Sequence, residues 1–241
     1  LQASEVLAEN NLQALLDKAS QFFEVDFENV RVGEHTLQIL QITDIEKYVD
    51  MLAEESKEKI ELPFWAKIWP ASILLSYYIT SLDTNEEKKI IELGSGIGIA
   101  GLFAAAMGFK VILSDNNPMA LLFAKINILK NNLSSAAEVM PVDFTADRLG
   151  QTFDYIIGSE IFYKESAYRG LVKFLLAHLD NKQDSEVVLA ADYRRQAKKF
   201  FQVATKEFHI DQKNIGYKGT DQNADNEKFL CAIYRMKARK K

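Results

Sequence analysis

The sequence is poor in the residues that staple small folds or hold structural metals. Its 241 residues include one cysteine, Cys231, and three histidines, His35, His178 and His209. A single thiol cannot close an internal disulfide, and the three imidazoles stand at no ligand spacing for zinc, so no metal is expected and a reducing compartment is the default. Positive charge is not in excess either: 29 basic residues face 34 acidic ones, for a net charge of -5. No broad positive field exists to gather phosphate backbones, and nucleic acid is not the expected partner. The longest apolar stretch, Ile97 to Phe109, is interrupted by glycines and falls short of the roughly 20 residues that span a bilayer. The given sequence shows no charged-then-apolar leader, which sets the expectation of a cytoplasmic protein off the membrane. One basic cluster, Arg235, Lys237, Arg239, Lys240 and Lys241, reads as a solvated tail.

Hydrophobic residues make up 48% and charged residues 26%, ordinary globular composition. A chain of this length buries about 70–75% of its unfolded surface, enough for one large α/β unit with an appendage. The appendage is expected over residues 1–60. It opens with an amphipathic helix from Ser4 to Phe23, followed by a hairpin of Phe27–Val32 and His35–Ile42 around Gly33-Glu34, then an acidic helical segment from Asp44 to Glu58. The main domain, 61–241, begins at Glu61-Leu-Pro-Phe-Trp-Ala-Lys-Ile-Trp-Pro, with Pro70 suited to the first turn of a helix. Short apolar runs then alternate with helical segments, the mark of a mostly parallel sheet covered on both faces. The end departs from that rhythm: His209–Tyr217 and Lys228–Met236 read as two strands with no helix between them, hence a hairpin and an antiparallel strand.

Glu92-Leu-Gly-Ser-Gly-Ile-Gly-Ile-Ala-Gly follows a predicted strand and opens a predicted helix. Glycines there let the backbone turn tightly and approach a ligand. Two readings compete. Gly96, Gly98 and Gly101 satisfy the dinucleotide fingerprint, with Asp115 placed 19 residues on for a ribose. Glu92, two residues before Gly94, instead gives the E-x-G-x-G-x-G form, which resembles the loop of class I methyltransferases that use S-adenosylmethionine. A dinucleotide fold would also need a second mononucleotide half, and no candidate follows Gly158. The balance favours S-adenosylmethionine, with Glu92, Gly94, Ser95, Gly96 and Gly98 as its expected loop contacts. Asp115, ending the second strand, can accept from both ribose hydroxyls; Asn116 beside it is read either as a contact or as an ordinary turn residue. Asp143 can accept from the adenine amine while Phe144 lies on the ring, although a surface Asp beside a core Phe reads nearly as well.

Five segments in order narrow the resemblance. Trp65-Ala-Lys-Ile-Trp-Pro-Ala-Ser, the glycine loop, Asp115-Asn-Asn-Pro, Asn127-Ile-Leu-Lys-Asn-Asn-Leu and Phe153-Asp-Tyr-Ile-Ile-Gly-Ser-Glu-Ile-Phe-Tyr are similar to the seven-β-strand protein-lysine methyltransferases. The resemblance implies a Rossmann-like sheet of seven strands whose last is antiparallel and inserted beside its neighbour. It implies that Trp69 and Ser159 border the cofactor, and that the D/E-x-x-Y/F motif, here Glu160-Ile-Phe-Tyr163, serves the acceptor. Glu160 carries one methylene more than the Asp usual at that place.

Transfer of a methyl group from a sulfonium is an in-line displacement, so alignment supplies most of the rate and few catalytic side chains are needed. A lysine amine of pKa about 10.4 must lose a proton before its lone pair attacks. Glu160 can bind the ammonium and orient the amine, and Tyr163 can add a hydroxyl and an aromatic face; the competing reading of Glu160 is a carboxylate at a helix N-terminus. Phe162 is expected to pack. Asp192 and Tyr193 can line the acceptor entrance, whereas Arg194 and Arg195 read equally as a solvated helix start, and Cys231 as core. The prolines of the N/D-P-P-Y/F motif of nucleic-acid amino-methyltransferases are missing. The expected partner is a protein lysine, with a small amine or a non-catalytic cofactor-binding module as alternatives.

Overall fold

The computed structural model describes residues 1–45, 63–82, 88–162, 164–195, 197–218 and 228–239. Its centre is a sheet of seven strands: β3 (Lys89–Leu93), β4 (Lys110–Asp115), β5 (Ala137–Pro141), β6 (Tyr155–Ser159), β7 (Glu186–Asp192), β8 (Phe208–Lys218) and β9 (Lys228–Ala238). They lie in the order β5-β4-β3-β6-β7-β9-β8. The first five are mutually parallel, while β9 runs antiparallel to both β7 and β8, between which it is inserted. The Rossmann-like α/β sheet with an antiparallel last strand is therefore present. The strand order switches side between the parallel strands β3 and β6, and open α/β sheets bind ligands outside the C-terminal strand ends at such a point.

Alternation along the strands feeds two cores. Ile90, Val111, Leu113 and Ile157 join one, packed by α3 (Pro70–Ile79), α4 (Ile99–Ala106) and α5 (Pro118–Lys130). Ile91, Ile112, Ile156 and Leu189 join the other, under α6 (Tyr168–His178) and α7 (Lys198–Ala204). His178 belongs to this second layer, with Nδ1 2.7 Å from Phe174 O and Nε2 accepting the Leu149 amide at 2.9 Å. Burial lowers its pKa, so it stays neutral and serves the fold.

The N-terminal part differs from expectation in one respect. The helix foreseen over Ser4–Phe23 is two helices, α1 (Ala3–Ala8) and α2 (Leu12–Ser20). Asn11 explains the break: its side chain accepts the Ala14 amide at 3.0 Å, and an asparagine that caps a helix so effectively ends the preceding one. The hairpin of β1 (Val25–Val32) and β2 (His35–Ile42) turns at Gly33, as its spacing predicts. These elements have no core of their own. Val6, Leu15, Phe23, Ile39 and Leu40 share the first core with Leu75, Phe103 and Phe123. The edge of β2 is covered by two asparagines, Asn131 at the C-cap of α5 and Asn127 within it: Asn131 accepts from Gln38 N and donates to Gln38 O, and Asn127 accepts from Leu40 N at 2.8 Å. Most of the acidic segment expected from Asp44 to Glu58 lies outside the described residues.

The basic cluster near the end is not a tail through Arg239. Arg235 sits in β9 with its guanidinium 2.8 Å from Glu186 Oε2, and Arg239 Nε donates to Thr205 O at 3.0 Å. Sequence proximity of like charges misled there, because the run continues the last strand, which is hydrogen-bonded on both sides to β7 and β8; Lys240 and Lys241 lie outside the described residues. Among the described residues no helix is long and apolar enough to cross a membrane.

Candidate active site

Two structures meet at the C-terminal edge of the sheet, a glycine loop after β3 and a pocket after β6 and β7. The loop is tied down by backbone and carboxylate together. Ser95 N donates to Ser114 O at 2.9 Å and Gly98 N to Ser95 O at 2.8 Å. Asp115 Oδ2 accepts Gly96 N–H and Oδ1 accepts Asn117 N–H, each at 2.9 Å. Gly96 has φ +54, and a Cβ there would stand 2.5 Å from Trp65 O, so only glycine lets the two segments pass so closely. Gly101 has another reason: a Cβ would meet Leu113 Cδ2 at 2.1 Å, so it serves the packing of α4 on β4. Asn127 fixes the loop from behind, donating to Ile97 O at 3.0 Å while holding β2 through its other atom.

Glu92, foreseen as a cofactor ligand, faces inward. Strand alternation puts it under the start of α4, where it is 1% exposed and its Oε2 accepts the Gly101 amide at 2.8 Å. Burial, with a smaller contribution from Asp115, pushes its carboxyl up to about 8, so near neutrality it is largely protonated. Glu92 thus shapes the loop from inside. Burial also raises Asp115, opposed by the amides that it accepts. Asn116 is exposed. Asp143 Oδ1 closes a turn, accepting Thr145 N–H at 2.8 Å and Thr145 Oγ1–H at 2.6 Å, while Phe144 packs half-buried against the second core.

The pocket, of about 460 Å³, is lined by Trp69, Glu160, Asp192, Arg195 and Leu230 among others. Trp69 ends the segment that also carries Trp65. Its indole N–H donates to Phe64 O at 3.1 Å, and Lys67 Nζ lies 4.9 Å from its ring centroid. The two tryptophans thereby divide the work: Trp65 presents its carbonyl to Gly96, and Trp69 faces the pocket. Glu160 adopts φ +54, a left-handed conformation that is strained for a residue with a side chain. It is held by Glu160 N donating to Ala190 O at 2.9 Å and by Tyr168 Oη donating to Phe162 O at 3.1 Å. Phe162 packs on Phe200 with ring centroids 4.7 Å apart. Ile161 connects the two structures, since a Cβ on Gly94 would meet its Cγ2 at 3.1 Å. Ser159 is half-buried at the end of β6, and Tyr163 lies outside the described residues. A second, smaller concavity, about 260 Å³ around Lys89 and Lys110, lies at the opposite, N-terminal ends of the strands.

With this geometry in view, a model of the family described as lysine methyltransferase matches residues 46–207. The chain belongs to the lysine methyltransferase family. This methyltransferase is 27% identical over 198 residues to a protein N-lysine methyltransferase of Xenopus tropicalis, covering 79% of its own length and 88% of the relative's. It is 26% identical over 164 residues to a histone-arginine methyltransferase of Xenopus laevis, 62% of this chain and 67% of that one. Its fold is similar to that of the tRNA (uracil-54, C5)-methyltransferase of Pyrococcus abyssi in complex with S-adenosyl-L-homocysteine, with TM-score 0.54 at 17% identity over 87% of this chain and 44% of that one.

S-adenosylmethionine is the methyl donor, and the loop fits it on its own terms. Ser95 Oγ is a buried hydroxyl with no hydrogen-bond partner, and the backbone beside it is bared by Gly94 and Gly96. Sequence reasoning gave Lys67 no role in the pocket and left Arg195 open between the acceptor entrance and a solvated helix start, whereas both line the pocket. Arg195 Nε lies 2.9 Å from Glu160 Oε2; the one available signal was the adjacent Asp192 at a strand end.

Proposed function

We propose that this methyltransferase acts on the ε-amino group of a lysine in a protein, with Glu160 receiving the ammonium. A single observation carries the reading: at the ligand edge of the sheet stands a carboxylate whose side chain is 10% exposed and whose Oε2 has no hydrogen bond, its one close cation among the described residues being the half-exposed Arg195 at 2.9 Å. An acidic atom so placed suits a cation that arrives from outside. When bound, S-adenosylmethionine supplies a methyl group on a positively charged sulfur. Gly94, Ser95, Gly96 and Gly98 would hold it, with Asp115 at the ribose hydroxyls, Asp143 and Phe144 at the adenine, and Trp69 and Ser159 at the edge nearest the acceptor.

Glu160 Oε2 orients the amine and is the contacting atom for the proton that must leave before the lone pair attacks. Burial raises the Glu160 carboxyl, which favours taking that proton. The side chains around the mouth suit a macromolecule better than a free amine. Phe64 is 60% exposed and Leu230 and Tyr193 are exposed with it, and no described residue of 1–45 lines the pocket. A protein rather than a nucleic acid is further supported by the acidic balance of the chain.

Incubation with labelled cofactor and a lysate of the parent cell, followed by acid hydrolysis, tests this. Label recovered as methyllysine is the expected result. Label confined to small molecules, or recovered as methylarginine, overturns the assignment.

A further inference from the structure

The charges that line the pocket are sorted by depth. Among the described residues they are three cations, Lys67, Arg194 and Arg195, and two carboxylates, Glu160 and Asp192. The carboxylates lie inside, with the Glu160 side chain 10% exposed and that of Asp192 34%. The cations lie outside: Arg194 is 87% exposed, Arg195 40%, and Lys67 is exposed as well. Four of the five belong to the turn after β7 or rest on it. There Glu160 Oε1 accepts the Asp192 N–H at 2.6 Å, Arg194 forks onto the Asp192 carboxylate, and Arg195 N donates to Asp192 O at 2.8 Å. Each arginine thus has a carboxylate beside it. Lys67 makes no ion pair among the described residues and lies over the Trp69 ring instead.

One cation is therefore in surplus at this mouth, although the whole chain carries a net charge of -5. A lysine arriving at Glu160 brings a second, and compensation has to come from outside the chain. The same rim is apolar in part, with Leu230 and Phe229 lining the pocket, Phe64 6.2 Å from Trp69 between ring centroids, and Tyr193 exposed beside Asp192. Resting on the reading of Glu160 given above, we propose that this rim docks an acidic segment of the acceptor protein. Aspartates or glutamates flanking the acceptor lysine pair with Lys67, Arg194 and Arg195, while apolar side chains of the same segment lie on Phe64 and Leu230. Basic flanks are refused by like charge, so the rim restricts which lysines of a protein are reached. A phosphate backbone would meet the same cations, but one surplus charge on an acidic chain is too little to hold it.

The test reads binding, so it stands apart from the search for methyllysine: either result can be obtained without the other. Three short peptides share a central lysine and differ only in the two neighbours on each side of it, which are glutamates, glutamines or arginines. Each is titrated by calorimetry at low salt into the full chain saturated with S-adenosylhomocysteine. The glutamate peptide is expected to bind about fivefold tighter than the glutamine peptide and the arginine peptide more weakly than both, a spread set by a few exposed ion pairs, and added salt should narrow it. Lys67→Glu is expected to weaken the glutamate peptide about tenfold on the same scale and to tighten the arginine peptide. Equal binding of the three by the wild type, tightest binding of the arginine peptide, or no binding of the glutamate peptide overturns the proposal and needs no variant. An unchanged order in Lys67→Glu, with S-adenosylhomocysteine affinity retained, also overturns it. A single-stranded oligonucleotide that binds tighter than the glutamate peptide would assign the rim to nucleic acid and overturn it too.

Discussion

The two halves of the site are built by different rules. Around the glycine loop the charged and amide groups are matched inside the fold: Asp115 with Gly96 and Asn117, Glu92 with Gly101, Asn127 with both Ile97 and Leu40. Around the pocket the matches are provisional. Glu160 holds a strained φ, its Oε2 meets Arg195 without a hydrogen bond, and the face of Trp69 is covered by the side chain of Lys67. A ligand that is the same in every turnover gains from a cradle that needs no rearrangement, because little ordering is left to be done on binding. An acceptor carried on a protein surface must enter and leave, and a pocket whose cations come from its own chain can yield them.

The contrast is broken most directly at Gly96. Gly96→Ala adds a Cβ that meets the Trp65 carbonyl and forces a positive φ on alanine, so affinity for S-adenosylhomocysteine is expected to fall about 100-fold or more by calorimetry. Retention of affinity within about threefold, the size of a minor contact, would place the donor elsewhere. Next in size is Glu160→Gln. The amide can still accept the Asp192 N–H but carries no charge for an ammonium, so turnover on the protein substrate is expected to fall about 100-fold while cofactor affinity stays nearly the same. Parallel loss of both would show that the halves cannot be separated.

How much of this could be read beforehand followed the range of the interactions. The strands before and after the glycine loop, the turn at Gly33 and the helix start at Pro70 depend on neighbours in sequence, and their positions match the structure. The terminal hairpin also follows from the lack of a helical pattern in the sequence between the last two strand-like runs, which pair antiparallel as β8 and β9. The break at Asn11 was overlooked because helical periodicity outweighed a local cap. Asn127 stood within a recognised segment, but its bond to Leu40 spans 87 positions and only the packing of α5 against β2 reveals it. Two tryptophans so close together gave no sign of which would meet the loop, and Arg195 reaches Glu160 only because the turn after β7 carries it there. Glu92 is the instructive case. Its place in the motif was legible, but its direction depends on which face of β3 receives α4.

That buried carboxyl provides the smallest expected effect, and it tests the loop alone. Glu92 titrates near 4.5 when exposed and is pushed up to about 8 by burial. Between those values the unfolded chain has lost the proton and the folded one retains it, so the folded state binds more protons and stability falls as pH rises. Below the window both states are protonated and the full stabilisation is present; above it both are ionised and the loss levels off. Asp115, also raised by burial, adds a weaker slope of the same sign. Glu92→Gln keeps an acceptor for the Gly101 amide and removes the titration. The melting temperature of the variant relative to the wild type is therefore expected to rise by roughly 4 °C for each pH unit between pH 5 and pH 7, since one unit inside the window is worth about 1.4 kcal/mol. A difference that stays flat across that range would mean that Glu92 is ionised inside the fold, and the loop would then rest on a buried charge instead of a neutral acid. The same substitution is expected to leave acceptor binding at Glu160 unchanged, because Glu92 reaches the α4 backbone and not the pocket.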